Sequence, residues 1–354
     1  MSLLQKTLAG QVALSAFSPQ DWNQLMTEGR QANMMARLAI VLVEQAGEQE
    51  LPRTVQDVLD GSIAYVDYLQ VRARFEMQRV SRIAQGCAYP VIALKGAAYL
   101  LTGIDAAGGR SLSDLDVMVP REHLDDFEDK LRYAGWSFSE DVSAYDEYYY
   151  RELAHELPPM RHAKCQLELD VHHNILQPTH RFAVDVAPMV QNARPIPGTA
   201  LHALHPADQI LHSATHLTMS DELRGGLRDV HDVVLIYREE LAKDPGFPRA
   251  LVERAMQLQL GRPLFYVLDF AERHLGLNPP PETARRLREA APPRRVLALM
   301  RQLLDRRLAP EGHNPGDGSL TEFLLYLRSH WIRMPHALLV CHLLRKARQR
   351  NSST

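Results

Sequence analysis

The chain has 354 residues, 45% of them hydrophobic and 23% charged, with a formal net charge of −3. Those values describe a globular protein able to bury one large core or several smaller ones, and they exclude a strongly basic field of the kind that drives nucleic-acid binding. Three scattered cysteines, Cys87, Cys165 and Cys341, form no Cys-x-x-Cys pair, which argues against a structural zinc cluster or a disulfide framework and fits a reducing compartment.

The first 22 residues lack the charge and apolar run of a signal peptide, and no segment offers the ~18–20 consecutive apolar residues that span a bilayer. The expectation is a cytoplasmic protein. Residues 1–85 read as a helical region. Met34, Met35, Leu38, Ala39, Leu42 and Val43 mark one apolar face, and Leu59, Ile63, Val66, Leu69 and Val71 a second. Packing, more than chemistry, is the role that these helices imply.

The pattern changes at Pro90. Val91-Ile92-Ala93-Leu94 reads as a short buried strand, Lys95-Gly96 opens a helix, and a glycine-rich loop runs from Gly103 to Gly109. Arg110-Ser111-Leu112-Ser113-Asp114-Leu115-Asp116-Val117-Met118-Val119 then predicts a strand. Side chains alternate along a strand, so Asp114 and Asp116 share a face. Residues 121–134 read as an amphipathic helix stopped by Gly135. Segments 145–153, 156–161 and 166–172 predict antiparallel strands. The last places Glu168, Asp170 and His172 on one face. The order predicts a small α+β core over 86–197, bounded by a Pro195-Pro197-Gly198 linker, with a helical region over 198–354. Helices are expected from Pro206 and near 222–242, 248–275, 282–308 and 319–348.

Two like charges on one strand face repel unless a cation lies between them, and oxygen ligands favour Mg²⁺ or Mn²⁺. A third carboxylate, Asp170, on a neighbouring strand completes a set able to hold two ions for phosphoryl transfer. An isolated Asp-x-Asp is more often a solvated strand end. The order of Lys95-Gly96, Asp114-Leu115-Asp116 and Asp170 is what raises the metal reading above that one. Other features have plainer readings. Residues 285–307, rich in arginine, read as a solvated helix face more readily than as an anion-binding patch. His212 and His216 lie four apart, like half a zinc site, although a structural role or a pocket wall is the simpler reading. Arg224 and His231 match a loose toxin-ribonuclease spacing that chance supplies several times over in so arginine-rich a chain. Pro335 to Arg350 reads as a buried terminal helix with a basic tail before a membrane-surface helix.

These motifs resemble the DNA polymerase beta-like nucleotidyltransferase superfamily, and more closely an uncharacterised bacterial family within it. The resemblance rests on Leu94-Lys95-Gly96, Arg110, Asp114-Leu115-Asp116 and Asp170-Val171-His172, followed by His212, His216 and Asp232. It implies a polymerase-beta-like core, a mixed sheet with helices, flanked by helical regions. It also implies Mg²⁺-dependent (or Mn²⁺-dependent) transfer of a nucleoside monophosphate from a nucleoside triphosphate, ATP being the expected donor, to an acceptor hydroxyl, with release of pyrophosphate. Asp114, Asp116 and Asp170 are then the catalytic and metal-binding residues. Lys95, Gly96, Arg110, Ser113 and His172 are the nucleotide-binding ones. The alternative is a non-catalytic member of the same fold that binds a nucleotide or a partner protein. Three mutually repelling carboxylates favour the enzyme.

Overall fold

A computed structural model describes residues 1–47, 50–139, 149–182, 184–219, 226–310 and 320–333. Four helices lead the chain: α1 (Leu3–Leu8), α2 (Pro19–Gln31), α3 (Met35–Ala46) and α4 (Arg53–Ala84). Helices α1 and α2 each begin at a serine, Ser2 and Ser18, in a reciprocal capping box with the third helical residue, Gln5 or Asp21. Pro19 at the first helical position adds a preset φ. Two positions on the expected apolar faces do not pack inward: Val43 is 62% exposed and Val71 67% exposed. Both side chains face solvent.

The core carries a seven-stranded mixed sheet in the order β3-β4-β5-β2-β1-β7-β6. Its members are β1 (Ile92–Ala93), β2 (Asp114–Met118), β3 (Trp136–Phe138), β4 (Met160–His162), β5 (Glu168–His172), β6 (Arg194–Pro195) and β7 (His202–Ala203). The expected α+β architecture with helical flanks is present. The central pair is parallel, with Asp114 opposite Glu168, Asp116 opposite Asp170 and Met118 opposite His172. Strand β1 runs antiparallel to β2 and parallel to β7. Helix α5 (Lys95–Thr102) follows β1, α6 (Leu124–Tyr133) follows β2, and the short α7 (Ala187–Gln191) precedes β6.

Several local expectations are corrected. Tyr149–Leu153 is one turn of π-helix, and 145–148 lie outside the described residues. Strand β4 is confined to Met160–His162, Glu156 contributing only a bridge to His172. The Pro195–Gly198 stretch is a hairpin whose strands extend the sheet to Ala203, because proline is tolerated on an edge strand. The helix expected over 248–275 is two, α10 (Phe247–Gln257) and α11 (Gly261–His274), separated where Gln259 takes a φ of +59°. Pro292-Pro293 likewise splits the next into α12 (Pro281–Leu287) and α13 (Arg294–Arg307). Helices α8 (Pro206–Met219) and α9 (Gly226–Lys243) pack against each other, α8 meeting α5 where Tyr99 and Ser213 share a 2.8 Å hydrogen bond, and α14 (Leu320–Arg333) ends the described chain. Arg224 and Pro335–Arg350 lie outside the described residues. Among those described, no helix is long and apolar enough to cross a membrane.

Helix α4 does more than cover the sheet. Its buried Glu76 accepts the backbone N–H of Gln166 (2.9 Å) and of Leu167 (3.1 Å), fixing the entry to β5. Gln70 donates to the carbonyls of Ala107 (2.7 Å) and Arg110 (3.0 Å), fixing the entry to β2. The N-terminal helices thus set the register of the two carboxylate-bearing strands.

Candidate active site

Parallel pairing of β2 and β5 sets Asp116 directly beside Asp170. Alternation puts Asp114 on the same face at the open end of β2, where Ser113 Oγ donates to its carboxylate at 3.1 Å. Asp116 is buried at 7% exposure. Lys95 Nζ lies 3.6 Å from Asp116 Oδ1, and His172 Nε2 lies 3.0 Å from the same oxygen. Lys95 reaches it from the first residue of α5, where its φ of +43° is a left-handed conformation that a lysine rarely adopts.

The two neighbouring carboxylates are driven apart in acidity. Burial alone would raise Asp116, but the Lys95 charge and the His172 hydrogen bond prevail and hold it well below the usual carboxylate range. Among the described residues Asp170 forms no ion pair, and the lowering by His172 is outweighed. Burial, then the Asp116 charge, push it up to about 7. Its buried Oδ1 makes no hydrogen bond. Asp114 is raised by desolvation and by Asp116. An ionised carboxylate, an unsatisfied oxygen beside it and a third carboxyl on the same face form an all-oxygen set that fits a hard divalent cation.

Arg110 is placed differently from a free phosphate ligand. Its buried guanidinium lies 3.0 Å from Asp232 and 3.4 Å from Asp229, both on α9. Arg37 of α3 meets Asp232 from the other side at 3.1 Å and donates to the Ala106 carbonyl at 2.6 Å. The arginine therefore stands behind Asp114, tying the β2 entry to α9 and α3. Gly96 packs against this layer: a Cβ there would lie 3.3 Å from Leu112 and 3.4 Å from Arg110 Nε. That close approach gives the glycine a packing reason besides the expected one of backbone access to phosphate.

Helix α8 lines the site with His212 and His216, whose rings lie 6.4 Å apart. His216 is held down to about 3 by the Lys95 charge and by burial. Burial, reinforced by Lys95, keeps His212 far below the usual range. Both are neutral rings at physiological pH. Among the described residues no third metal-capable side chain joins them. Glu168 pairs with Arg161 at 2.9 Å, as a spectator would.

Three residues that the sequence did not single out also lie close. Asp229 is three positions from Asp232 on one helix, a spacing that puts both carboxylates on one face. His155 and Glu156 run antiparallel beside the end of β5, with Leu157 N–H donating to the Val171 carbonyl at 2.8 Å. Glu156 Oε2 lies 3.2 Å from His172 Nδ1 and 3.8 Å from His155 Nε2. Nothing local marks this pair, because a cross-strand bridge creates it.

The model of a family described as uncharacterised nucleotidyltransferase matches residues 18–276. Neither the curated proteins nor the solved structures contain a match.

Proposed function

The chain belongs to the uncharacterised nucleotidyltransferase family, and from that membership we propose a Mg²⁺-dependent enzyme that transfers a nucleoside monophosphate from a triphosphate, ATP in the first instance, to an acceptor hydroxyl. The observation that carries the reading is the pairing of Asp116 with Asp170 across parallel strands, Asp114 on the same face and Lys95 at 3.6 Å. Asp114, Asp116 and Asp170 would hold the cation. When bound, it neutralises the triphosphate and lowers the pKa of the attacking hydroxyl.

The chain's own residues supply the rest. The acceptor oxygen forms a bond to the α-phosphorus, and the bond from that phosphorus to the bridging oxygen breaks, releasing pyrophosphate. Asp170, set apart in acidity from Asp116, receives the hydroxyl proton. Lys95 contributes a preplaced positive charge for the departing pyrophosphate. Backbone at Gly96, near the start of α5, offers N–H groups to phosphate. Arg110, held by Asp229 and Asp232, adds positive potential behind Asp114. Ser113 orients Asp114 and His172 orients Asp116.

The test incubates the protein with each α-labelled nucleoside triphosphate, Mg²⁺ and a cell extract. A labelled product is expected from the wild type and none from Asp116→Ala. Equal labelling by the variant would refute the assignment of these carboxylates.

A further inference from the structure

We propose that His155, Glu156 and His172 form a separate transition-metal site that takes Zn²⁺. One ligand atom from each lies within 4.8 Å of the others. Two of these separations, 3.2 Å and 3.8 Å, bracket the ~3.3 Å edge of a tetrahedral zinc site with ligands at about 2.0–2.1 Å. The donor set also differs from the carboxylate cluster. Two imidazoles and one carboxylate suit Zn²⁺, whereas Asp114, Asp116 and Asp170 offer only the oxygens that Mg²⁺ prefers.

His172 supplies the second observation. Its side chain is 4% exposed, and its Nδ1 makes no hydrogen bond while pointing at Glu156. The His155 ring lies 5.4 Å from the His172 ring, centroid to centroid, and both approach the same Glu156 oxygen. Three protein ligands leave a fourth position for water or a substrate oxygen. Metal on His172 Nδ1 leaves the ring proton on Nε2, which then donates to Asp116 Oδ1 at the observed 3.0 Å. Zinc occupancy would thereby lock the orientation of the Asp116 carboxylate. The zinc site itself stands independently of the transfer reaction; only this consequence rests on it.

The experiment strips the full-length protein with a chelator and titrates it with Co²⁺, then Zn²⁺, in the absence of nucleotide. One equivalent of Co²⁺ giving visible d–d absorption, displaced by Zn²⁺, is expected. His155→Ala and Glu156→Gln should each weaken Zn²⁺ by at least about tenfold. Asp114→Ala should bind Zn²⁺ as the wild type does while losing transfer, which separates this site from the carboxylate cluster. Circular dichroism checks the fold, and the conservative Glu156→Gln serves if His155→Ala is misfolded. The proposal is overturned by absence of the absorption, by unchanged affinity in the folded variants, or by loss of binding in Asp114→Ala.

Discussion

Asp116 and Asp170 are the same amino acid in neighbouring positions, yet their surroundings give them opposite acidities. Asp116 has Lys95 and His172 against it; Asp170 has burial and a like charge. Such a divergence supports the roles proposed above, Asp116 as the anchored anion and Asp170 as the proton acceptor. Asp170→Asn keeps the shape and one acceptor oxygen but removes the base. Single-turnover transfer should slow by roughly 10²–10⁴-fold, while nucleotide affinity measured with Ca²⁺ in place of Mg²⁺ should hold within severalfold. An undiminished rate would assign the proton to another group. The shared face of Asp114 and Asp116 was legible in the sequence, because strand alternation is a local rule. The partners of Arg110 were not, since Asp229 and Asp232 lie 119 and 122 positions further on.

Elements meet at the site through backbone approaches as well as side chains. Gly109 shows this most sharply. It has a φ of +63°, and a Cβ there would lie 2.5–2.7 Å from backbone atoms of Ala36 and Arg37 in α3. No side chain shift relieves a clash with backbone, so Gly109→Ala must separate the β2 entry from α3. We expect a loss of about 2 kcal/mol or more in urea unfolding, with weaker transfer because Arg37, Asp232 and Arg110 are drawn apart. Unchanged stability would show that the contact yields easily. The glycine-rich loop was visible in the sequence. That one of its glycines fits against a helix some seventy residues earlier was not, because the approach is tertiary.

At the scale of the whole molecule, the acid response of the described residues is set largely by buried histidines. His155, His173, His205, His212, His216, His231 and His274 all have lowered pKa values, burial being the leading cause except at His216, where the Lys95 charge leads. A lowered folded-state value means that the unfolded chain binds more protons. The stability from these groups is full above about pH 6.5 and is lost as pH falls through the window below it. His172, raised by Asp116, and the carboxyls Asp170, raised to about 7, Asp114 and Asp232, both raised by burial, act in the opposite sense. The seven rings have their ordinary value of about 6.5 within this interval, so the metal-free melting temperature is expected to decline from pH 7 to pH 5. A flat or rising profile over that interval would contradict the burial of these rings.

Local chemistry by itself determined the α+β plan, the order of the motifs, the helix start at Pro206, and the common face of the carboxylates. Each follows from rules that act within a few residues: alternation, apolar periodicity and the stiffness of proline. Only the tertiary structure decided that Asp170 faces Asp116, that Pro195 begins an edge hairpin, that Arg110 answers to α9, and that His155 and Glu156 meet His172. Those pairings depend on strand register and helix packing between distant segments. Register is fixed by contacts such as Glu76 with Gln166 and Leu167, which a linear reading of neighbours does not contain.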